Sequence, residues 1–111
     1  MELAQSKTGE VTVVSPHGRI DSLTAPGFHQ TVRGLVDSGA NRVVVDLSDV
    51  TYISTAGLRA LLMIARAIET ARGKLGICKL NPDVQKLFTL SQFDSLIHIH
   101  NTCDDAVAAL A

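Results

Sequence analysis

The sequence predicts an α/β domain built on a mixed β-sheet, with an antiparallel hairpin at its N-terminus, a parallel centre and helices packed on it. Three observations support this. "KTG" separates two short strand patterns near the N-terminus, and Gly9 can take the positive φ of a tight turn. Strand and helix patterns alternate after the hairpin, as in parallel sheets. "RVVVDL" at residues 42–47 is a β-branched run typical of a strand buried on both faces.

The first third of the chain supplies the hairpin and the first helix. Val11 and Val13 alternate with polar neighbours, as in a strand with one face on a core, and Pro16 interrupts or bends that strand. A helix is predicted from about residue 24, because Pro26 suits a first turn, and Gly39 should end it. Its expected inner face is Phe28, Val32, Leu35 and Val36.

The centre of the chain combines the buried strand with the longest helix. After residues 42–47 we expect a loop, and then a helix from Thr55 to about Arg72. Gly73 is the residue expected in the left-handed conformation just beyond the helix. The apolar positions predicted to face the core in this helix are Leu58, Leu61, Leu62, Ala65 and Ile68.

The last third of the chain completes the predicted order β-β-α-β-α-β-α-β-α in one domain, residues 1–111. "KLGICKL" is a strand, and Asn81 followed by Pro82 begins a short helix. "SLIHIH" at residues 95–100 is a last strand, and Thr102 with Asp105 resembles a capping box at the start of a final helix. The inner-face residues expected in these two helices are Val84, Leu87, Phe88, Val107 and Leu110.

Composition excludes several classes of function. The net charge is −1, without the clustered basic excess of a nucleic-acid or membrane-surface protein, and four scattered aromatic residues cannot form a base-stacking platform. The N-terminus lacks the apolar segment of a secretory signal, and no apolar run reaches the about 18 residues that span a bilayer. We therefore expect a cytoplasmic protein with no nucleic-acid partner and no membrane insertion.

The chain has two cysteines, Cys78 in an apolar run and Cys103 in a polar turn, without CxxC spacing. This usage predicts two free thiols in a reducing compartment.

Catalytic and cofactor motifs are missing from the sequence. There is no GxGxxG, GxxxxGK[ST] or HExxH, and "TAGL" lacks the two glycines of a nucleophile elbow. The sequence therefore predicts a protein that is not an enzyme and has no cofactor.

Two groups of residues nevertheless have the side chains of a chemical site. His98 and His100 share one face of a strand near Cys103, but further metal ligands are not evident, so we expect an edge-strand pair and no metal. Asp46 ends a central strand, as a receiver-domain phosphoacceptor does, but an adjacent acidic pair for Mg²⁺ is missing. A strand-end residue that caps the next turn is the expected role of Asp46.

The most informative stretch is "DVTYISTAGLRALL" at residues 49–62, where a polar segment meets the longest helix. Ser54 or Thr55 is expected to be the N-cap of this helix. A hydroxyl here is also suited to modification, because a phosphate at a helix N-terminus meets unpaired N–H groups and the positive end of the macrodipole. Asp46 and Asp49 lie close in sequence, so a phosphate is expected to make the position strongly acidic.

A stripe on the same helix suggests a docking surface. Thr55, Arg59, Met63 and Arg66 follow helical spacing on the side away from the leucines, and methionine and arginine are enriched at interfaces. A solvated face with one stray apolar residue is the alternative explanation of this stripe.

"VVVDLSDVTYISTAGLRALL" resembles the signature of STAS domains, specifically of bacterial anti-sigma factor antagonists. The resemblance covers nearly the whole chain, since "HGRID" at residues 17–21 is similar to an earlier family segment and residues 74–110 are similar to the C-terminal half. It implies the STAS fold.

The resemblance also implies a function. In this family an anti-sigma factor, itself a serine/threonine kinase with a histidine-kinase-like ATPase fold, phosphorylates the antagonist and thereby releases it, and a PP2C-type phosphatase restores binding. By position the phosphorylated serine falls on Thr55, the motif aspartate on Ser54, the next hydroxyl on Ala56 and the motif glycine on Gly57. Ser54 is a second candidate for phosphorylation, and Asp21 matches a family aspartate near the acceptor.

The partner-binding patch that follows from the stripe and the resemblance comprises Asp21, Ser48, Asp49, Tyr52, Ser54, Thr55, Ala56, Gly57, Arg59, Met63 and Arg66. Two other functions stay open. One is a non-phosphorylated STAS subunit that docks on the ATPase of an ABC-type lipid-transport complex. The other is an enzyme or receiver-like phosphoacceptor built on Asp46.

Overall fold

The computed structural model describes residues 2–92 and 97–111 and contains a five-stranded mixed sheet. The strand order is β1-β2-β4-β6-β7, with β1 antiparallel to β2 and the other neighbours parallel. The strands are β1 (Leu3–Thr8), β2 (Val11–Pro16), β3 (Gly18–Ile20), β4 (Arg42–Asp46), β5 (Val50–Ile53), β6 (Lys74–Cys78) and β7 (His98–His100). The helices are α1 (Ala25–Asp37), α2 (Thr55–Thr70), α3 (Pro82–Leu90) and α4 (Cys103–Leu110). The predicted mixed sheet with its N-terminal hairpin is confirmed.

The hairpin and the helix ends follow the local signals of the sequence. Gly9 takes φ +60° in the turn between β1 and β2. Asn81 caps α3 by accepting the Val84 N–H at 2.8 Å, and Thr102 caps α4 by accepting the Asp105 N–H at 3.0 Å. These predictions are confirmed because each depends on residues close in the chain.

Two short strands, β3 and β5, were missed by the sequence analysis. They pair in parallel as a separate two-stranded sheet, with Ile20 opposite Ile53. Residues 50–53 were predicted as part of a loop because four residues, two of them exposed, carry no clear alternation. Pairing with a segment about 30 residues earlier in the chain makes this stretch a strand.

The end of α2 also differs from the prediction. Arg72, and not Gly73, takes the left-handed conformation beyond the helix, with φ +59°. Gly73 instead passes so close to Asn41 that an added β-carbon would collide with the Asn41 carbonyl. Gly73 still donates its N–H to the Ile68 carbonyl at 2.8 Å, so it takes part in ending the helix as well as in this close packing.

The main sheet separates two apolar cores. Val43 and Val45 of β4 point to the larger core, which α1, α2 and α3 cover, and Val44 points to a smaller core under α4. All three side chains are fully buried, as predicted for a strand covered on both faces. Val11 and Val13 share the side of α4, which agrees with their predicted alternation.

Helix α2 buries a slightly different face from the one predicted. Leu61 and Ile68 are buried as expected, whereas Leu58, Leu62 and Ala65 are half-buried at the edge of the larger core. The other buried positions of α2 are Gly57, Ala60 and Ile64. The buried face is shifted because α2 packs against α1 as well as against the sheets.

Three further findings bear on the predictions. Cys78 and Cys103 form a disulfide, so the prediction of two free thiols is wrong.

The last strand is His98–His100, and Ser95 and Leu96 of its predicted range lie outside the described residues. Within residues 2–92 and 97–111, no helix is long and apolar enough to cross a membrane.

Candidate functional site at the start of the second long helix

The start of α2 separates the two hydroxyls that the sequence left as alternatives. Ser54 has extended backbone dihedrals and is the N-cap, with its Oγ accepting the Gly57 N–H at 3.3 Å. The Ser54 N–H donates to the Ile20 carbonyl at 2.9 Å, which ties the helix start to the end of β3. Thr55 is the first helical residue and is exposed. Its hydroxyl makes no hydrogen bond within the part of the chain that the structure describes, so it is open to a partner.

Gly57 positions this helix start by allowing close approach. A β-carbon at this position would lie 2.6 Å from the Ile20 carbonyl oxygen and 2.8 Å from the Ile53 Cγ2. Contacts this short are excluded, so any larger residue would push α2 away from β3 and β5. Gly57 was predicted as part of the binding patch, but it is buried and acts beneath the surface.

Asp21 lies beside the helix start because β3 and β5 are parallel and in register. Ile20 is opposite Ile53, so Asp21 and Ser54 follow neighbouring strand ends. The Asp21 Oδ1 accepts the N–H groups of Leu23 at 3.0 Å and Thr24 at 3.2 Å. Hydrogen bonding from the Leu23 N–H is the largest cause that holds the pKa of Asp21 below its ordinary value. The carboxylate is therefore ionised and fixed at the edge of the site.

Asp49 lies at the other end of β5 from Thr55. The four residues of β5 and the extended Ser54 separate them, so their Cα atoms are about 20 Å apart at about 3.3 Å per residue. Asp49 pairs with His17, with 3.3 Å between its Oδ2 and the His17 Nδ1. The expectation that Asp49 makes the acceptor position acidic is therefore wrong, and Asp21 is the carboxylate placed beside the helix start.

The predicted patch residues on β5 and its preceding turn form a second part of the surface. The Arg19 guanidinium lies over the Tyr52 ring, 4.3 Å from its centroid, a cation–π geometry. Ser48 and Asp49 are exposed in the turn, which is held by the Asp46 Oδ1 accepting the Ser48 N–H at 2.9 Å. Asp46 thus caps the next turn, as expected from its position.

The stripe on α2 borders a groove against α1. Thr55, Arg59, Met63 and Arg66 are all at least partly exposed, and Met63 has 46% of its surface accessible. Two cavities of about 320 and 410 Å³ lie along the helix pair and share His29 and Met63 as lining residues. Ala56, half-buried, lines the smaller cavity.

His29 was not singled out from the sequence, yet it stands at the junction of these cavities. Its Nε2 is buried and has no hydrogen-bond partner among the described residues. His29 directly follows Phe28 of the core face, and that position at the edge of the face is the only signal the sequence offered. The groove therefore combines exposed arginines and an exposed methionine with a buried imidazole nitrogen that has no partner among the described residues.

The family comparison agrees with this fold and site. The family model of the STAS domain matches residues 3–106. The chain belongs to the STAS domain family. The matched range includes the helix start with Ser54, Thr55 and Gly57.

Relatives of this STAS domain carry consistent names. BtrV of Bordetella bronchiseptica, named as an anti-sigma factor antagonist, is 34% identical over 109 residues, covering 98% of this chain and 94% of BtrV. The crystal structure of an anti-sigma factor antagonist from Mycobacterium paratuberculosis superposes with a TM-score of 0.89 at 28% identity, covering 98% of this chain and 92% of that one. A Thermotoga maritima structure named in the same way gives a TM-score of 0.93 at 21% identity over 97% and 93% of the chains, which shows the shared fold.

The metal set considered from the sequence is not assembled in this STAS domain. The His98 and His100 ring centroids are 6.4 Å apart, and Cys103 is bonded to Cys78. One oxygen of Asp46 and the two sulfur atoms lie within 4.8 Å of one another, but sulfurs in a disulfide cannot act as thiolate ligands.

Proposed function

We propose that this STAS domain is an anti-sigma factor antagonist that binds an anti-sigma factor kinase at the start of α2 and is released when Thr55 is phosphorylated. The observation that carries the proposal is the exposed Thr55 hydroxyl, with no hydrogen bond in the described structure, directly after a serine that already caps the helix. Capping and modification therefore fall on different residues. The name of BtrV, which is similar over nearly its whole length, supports the functional class.

The position of Thr55 suits a phosphate physically. A phosphate on the first residue of α2 would meet N–H groups at the positive end of the helix macrodipole. Arg59 lies four residues on and is partly exposed, within reach of such a group on the same helix face. The folded domain should therefore tolerate the about −1.5 to −2 charge that phosphorylation adds.

The same charge would expel a docked partner. The helix start adjoins the ionised Asp21, so an acidic or apolar partner segment would meet two neighbouring negative groups after phosphorylation. A micromolar complex corresponds to about −8 kcal/mol, and about 1.4 kcal/mol of repulsion weakens it tenfold. A few kcal/mol at one point of the interface is enough to switch partners.

The partner surface would extend from Thr55 along the groove between α1 and α2. Met63 offers an apolar contact, and Arg59 and Arg66 offer charge. Arg19, Tyr52, Ser48 and Asp49 would contact the partner beside β5. We infer that the domain is a regulator and not an enzyme, acts in the cytoplasm, and relies on the partner kinase for phosphoryl transfer and on a PP2C-type phosphatase for its reversal.

One observation favours a second candidate function. Ser54 and Thr55 stand where anti-sigma factor antagonists carry an aspartate and a serine, which alters the phosphorylation motif. A STAS subunit of an ABC-type lipid-transport complex would use the same exposed stripe to dock on an ATPase, with Thr55 unmodified.

The deciding experiment compares wild type, Thr55→Ala and Thr55→Glu as baits in native lysate, with mass spectrometry of the captured proteins. Thr70→Ala and Thr70→Glu are matched controls, because Thr70 is exposed at the far end of the same helix. We expect a histidine-kinase-like ATPase on wild type, Thr55→Ala and both Thr70 variants, and at least tenfold less on Thr55→Glu. Equal capture by all five baits would refute switching at Thr55, and capture of an ABC ATPase would support the second candidate.

A direct measurement tests the modification itself. The captured kinase with Mg-ATP should add one phosphate to wild type and none to Thr55→Ala, as read by intact mass and peptide mapping. Phosphate found on Ser54 would instead identify the capping hydroxyl as the acceptor.

A further inference from the structure

The structure joins two distant segments by the disulfide between Cys78, the last residue of β6, and Cys103, the first residue of α4. Their Cα atoms are 5.3 Å apart, within the range that a disulfide needs. We propose that this disulfide is a reversible thiol switch that clamps α4 and the turn before β5 when oxidised and loosens both when reduced. The switch follows from the disulfide and its surroundings; its relation to the partner surface and its setting in a reducing compartment rest on the proposed function.

The two cysteines differ in solvent exposure, and this difference determines which sulfur we expect a reductant to attack. Cys78 is fully buried, whereas Cys103 is half-buried at the surface end of α4. A thiolate of a dithiol reductant would therefore attack the Cys103 sulfur, form a mixed disulfide there and release Cys78 as a thiolate that takes up a proton. The second thiol of the reductant then displaces Cys103. Two electrons and two protons pass to the protein, and the dithiol becomes a disulfide.

The disulfide is a large part of what holds α4. This helix has eight residues and covers the smaller core, where its buried side chains are Ala106 and Leu110. The smaller core also contains Val11, Val44 and Cys78, with Val13, Cys103 and Val107 packed at its edge, so the two bonded cysteines are part of a small apolar cluster. Helix segments with little buried apolar surface open at low free-energy cost.

A second consequence reaches the partner surface through Asp46. One Asp46 carboxylate oxygen lies within 4.8 Å of both sulfurs, and its Oδ1 accepts the Ser48 N–H at 2.9 Å. The Leu47 N–H donates to the Cys78 carbonyl at 3.0 Å. Reduction creates two S–H donors beside this carboxylate, whereas a disulfide offers none. The thiols would compete with Ser48 for Asp46 and loosen the turn that presents Ser48 and Asp49.

The proposed compartment is consistent with a switch and not with a permanent crosslink. Disulfides in reducing compartments are usually transient and serve catalysis or redox sensing. Cys103 is only half-buried, so we expect a reductant to reach the bond without unfolding of the domain.

The test uses the full chain, equilibrated with either glutathione disulfide or dithiothreitol under native conditions. Alkylation with mass detection counts free thiols, and hydrogen exchange reports on α4 and residues 47–49. Cys103→Ser is the matched control, since it keeps the buried Cys78 and cannot form the bond. We expect zero free thiols after oxidation, two after reduction, and faster exchange in both segments on reduction. The Tm of wild type should fall by about 10 °C on reduction, and that of Cys103→Ser should not change.

Each alternative outcome overturns the proposal. Two free thiols in both buffers would mean that the bond does not form. A bond that dithiothreitol opens only in denaturant would be a structural crosslink. Reversible opening with unchanged exchange in α4 would mean that the bond controls nothing in the fold. None of these outcomes depends on phosphorylation or on the anti-sigma factor.

Discussion

At the scale of single residues, Gly57 shows how one missing side chain shapes the binding surface. It lets the first turn of α2 lie against the Ile20 carbonyl, and this places Ser54 in hydrogen-bonding distance of the same residue. Thr55 is then exposed beside Asp21. The glycine therefore serves the site without any contact with a partner.

Gly57→Ala should destabilise the domain although alanine is the better helix former. The added carbon would lie 2.6 Å from the Ile20 oxygen, and we expect a net loss of about 2 kcal/mol in the free energy of unfolding. Gly34→Ala on α1 is the matched control, since an added β-carbon there would meet nothing within 4 Å, and it should gain about 0.5–1 kcal/mol. Urea unfolding measures both, and a stabilising Gly57→Ala would contradict the close approach.

Asp21, at the same site, makes a pH-dependent contribution to the free energy of unfolding. Its pKa is lowered in the folded domain from an ordinary value of 3.8, chiefly by the Leu23 N–H. The charged carboxylate therefore stabilises the fold above the unfolded pKa, and this contribution is lost as the pH falls through the folded pKa.

We expect wild type to be more stable than Asp21→Asn at pH 6, with the difference shrinking as the pH is lowered below about 4. The asparagine oxygen can still accept the Leu23 and Thr24 N–H groups, so the comparison isolates charge. Urea unfolding at several pH values gives the difference, and a difference that stays constant between pH 6 and pH 3 would argue against the lowered pKa.

At the scale of elements, the short β3–β5 sheet decides the geometry of the site. It places Asp21 and Ser54 at neighbouring strand ends, and it holds Asp49 at the opposite end of β5 from Thr55. Local sequence patterns did not predict this, because a three-residue and a four-residue strand carry too little periodicity. The start of α2 was predicted correctly, since capping depends on residues within one turn.

Negative charge at the first residue of α2 should stabilise the free domain. We expect the Thr55→Glu variant to have a free energy of unfolding about 0.5 kcal/mol higher than that of Thr55→Gln. The glutamate charge interacts favourably with the positive end of the helix macrodipole and with Arg59, which lies one turn further along α2. Chemical unfolding at low salt measures the difference, and high salt should reduce it. A less stable glutamate variant would mean that Asp21 dominates, and that phosphorylation strains the fold as well as the interface.

At the scale of the whole molecule, the central strand β4 contributes side chains to two separate apolar cores, one on each face of the main sheet. Val45 supports the larger core under α1, α2 and α3, and Val44 supports the smaller core under α4. The proposed thiol switch acts on the second face, and it reaches the first only through Asp46 and the turn before β5.

Shortening each of these neighbouring valines to alanine should show whether the two cores open independently. Val44→Ala and Val45→Ala should each cost about 2 kcal/mol, because both side chains are fully buried. Native-state hydrogen exchange should nevertheless differ: Val44→Ala speeds exchange selectively in α4, and Val45→Ala speeds it in α1 and α2. The same exchange pattern in both variants would show that the two cores unfold as one unit.

The sequence by itself determined the features that are encoded locally. The caps at Asn81 and Thr102, a cap at Ser54 or Thr55, the hairpin at Gly9 and the exposed stripe on α2 follow from spacings of one to four residues, and the structure contains each of them, with Ser54 as the cap of α2. The family was likewise predicted from the sequence, and the family model matches residues 3–106.

Only the tertiary structure decided which distant segments meet. It paired Ile20 with Ile53, bonded Cys78 to Cys103 across 25 residues, and set His29 at the junction of two cavities. Such contacts leave no local periodicity, because they are selected by the packing of the whole chain. The position of Thr55 at the start of α2 was therefore predictable from the local sequence, whereas its spatial neighbours and the disulfide were determined by the fold.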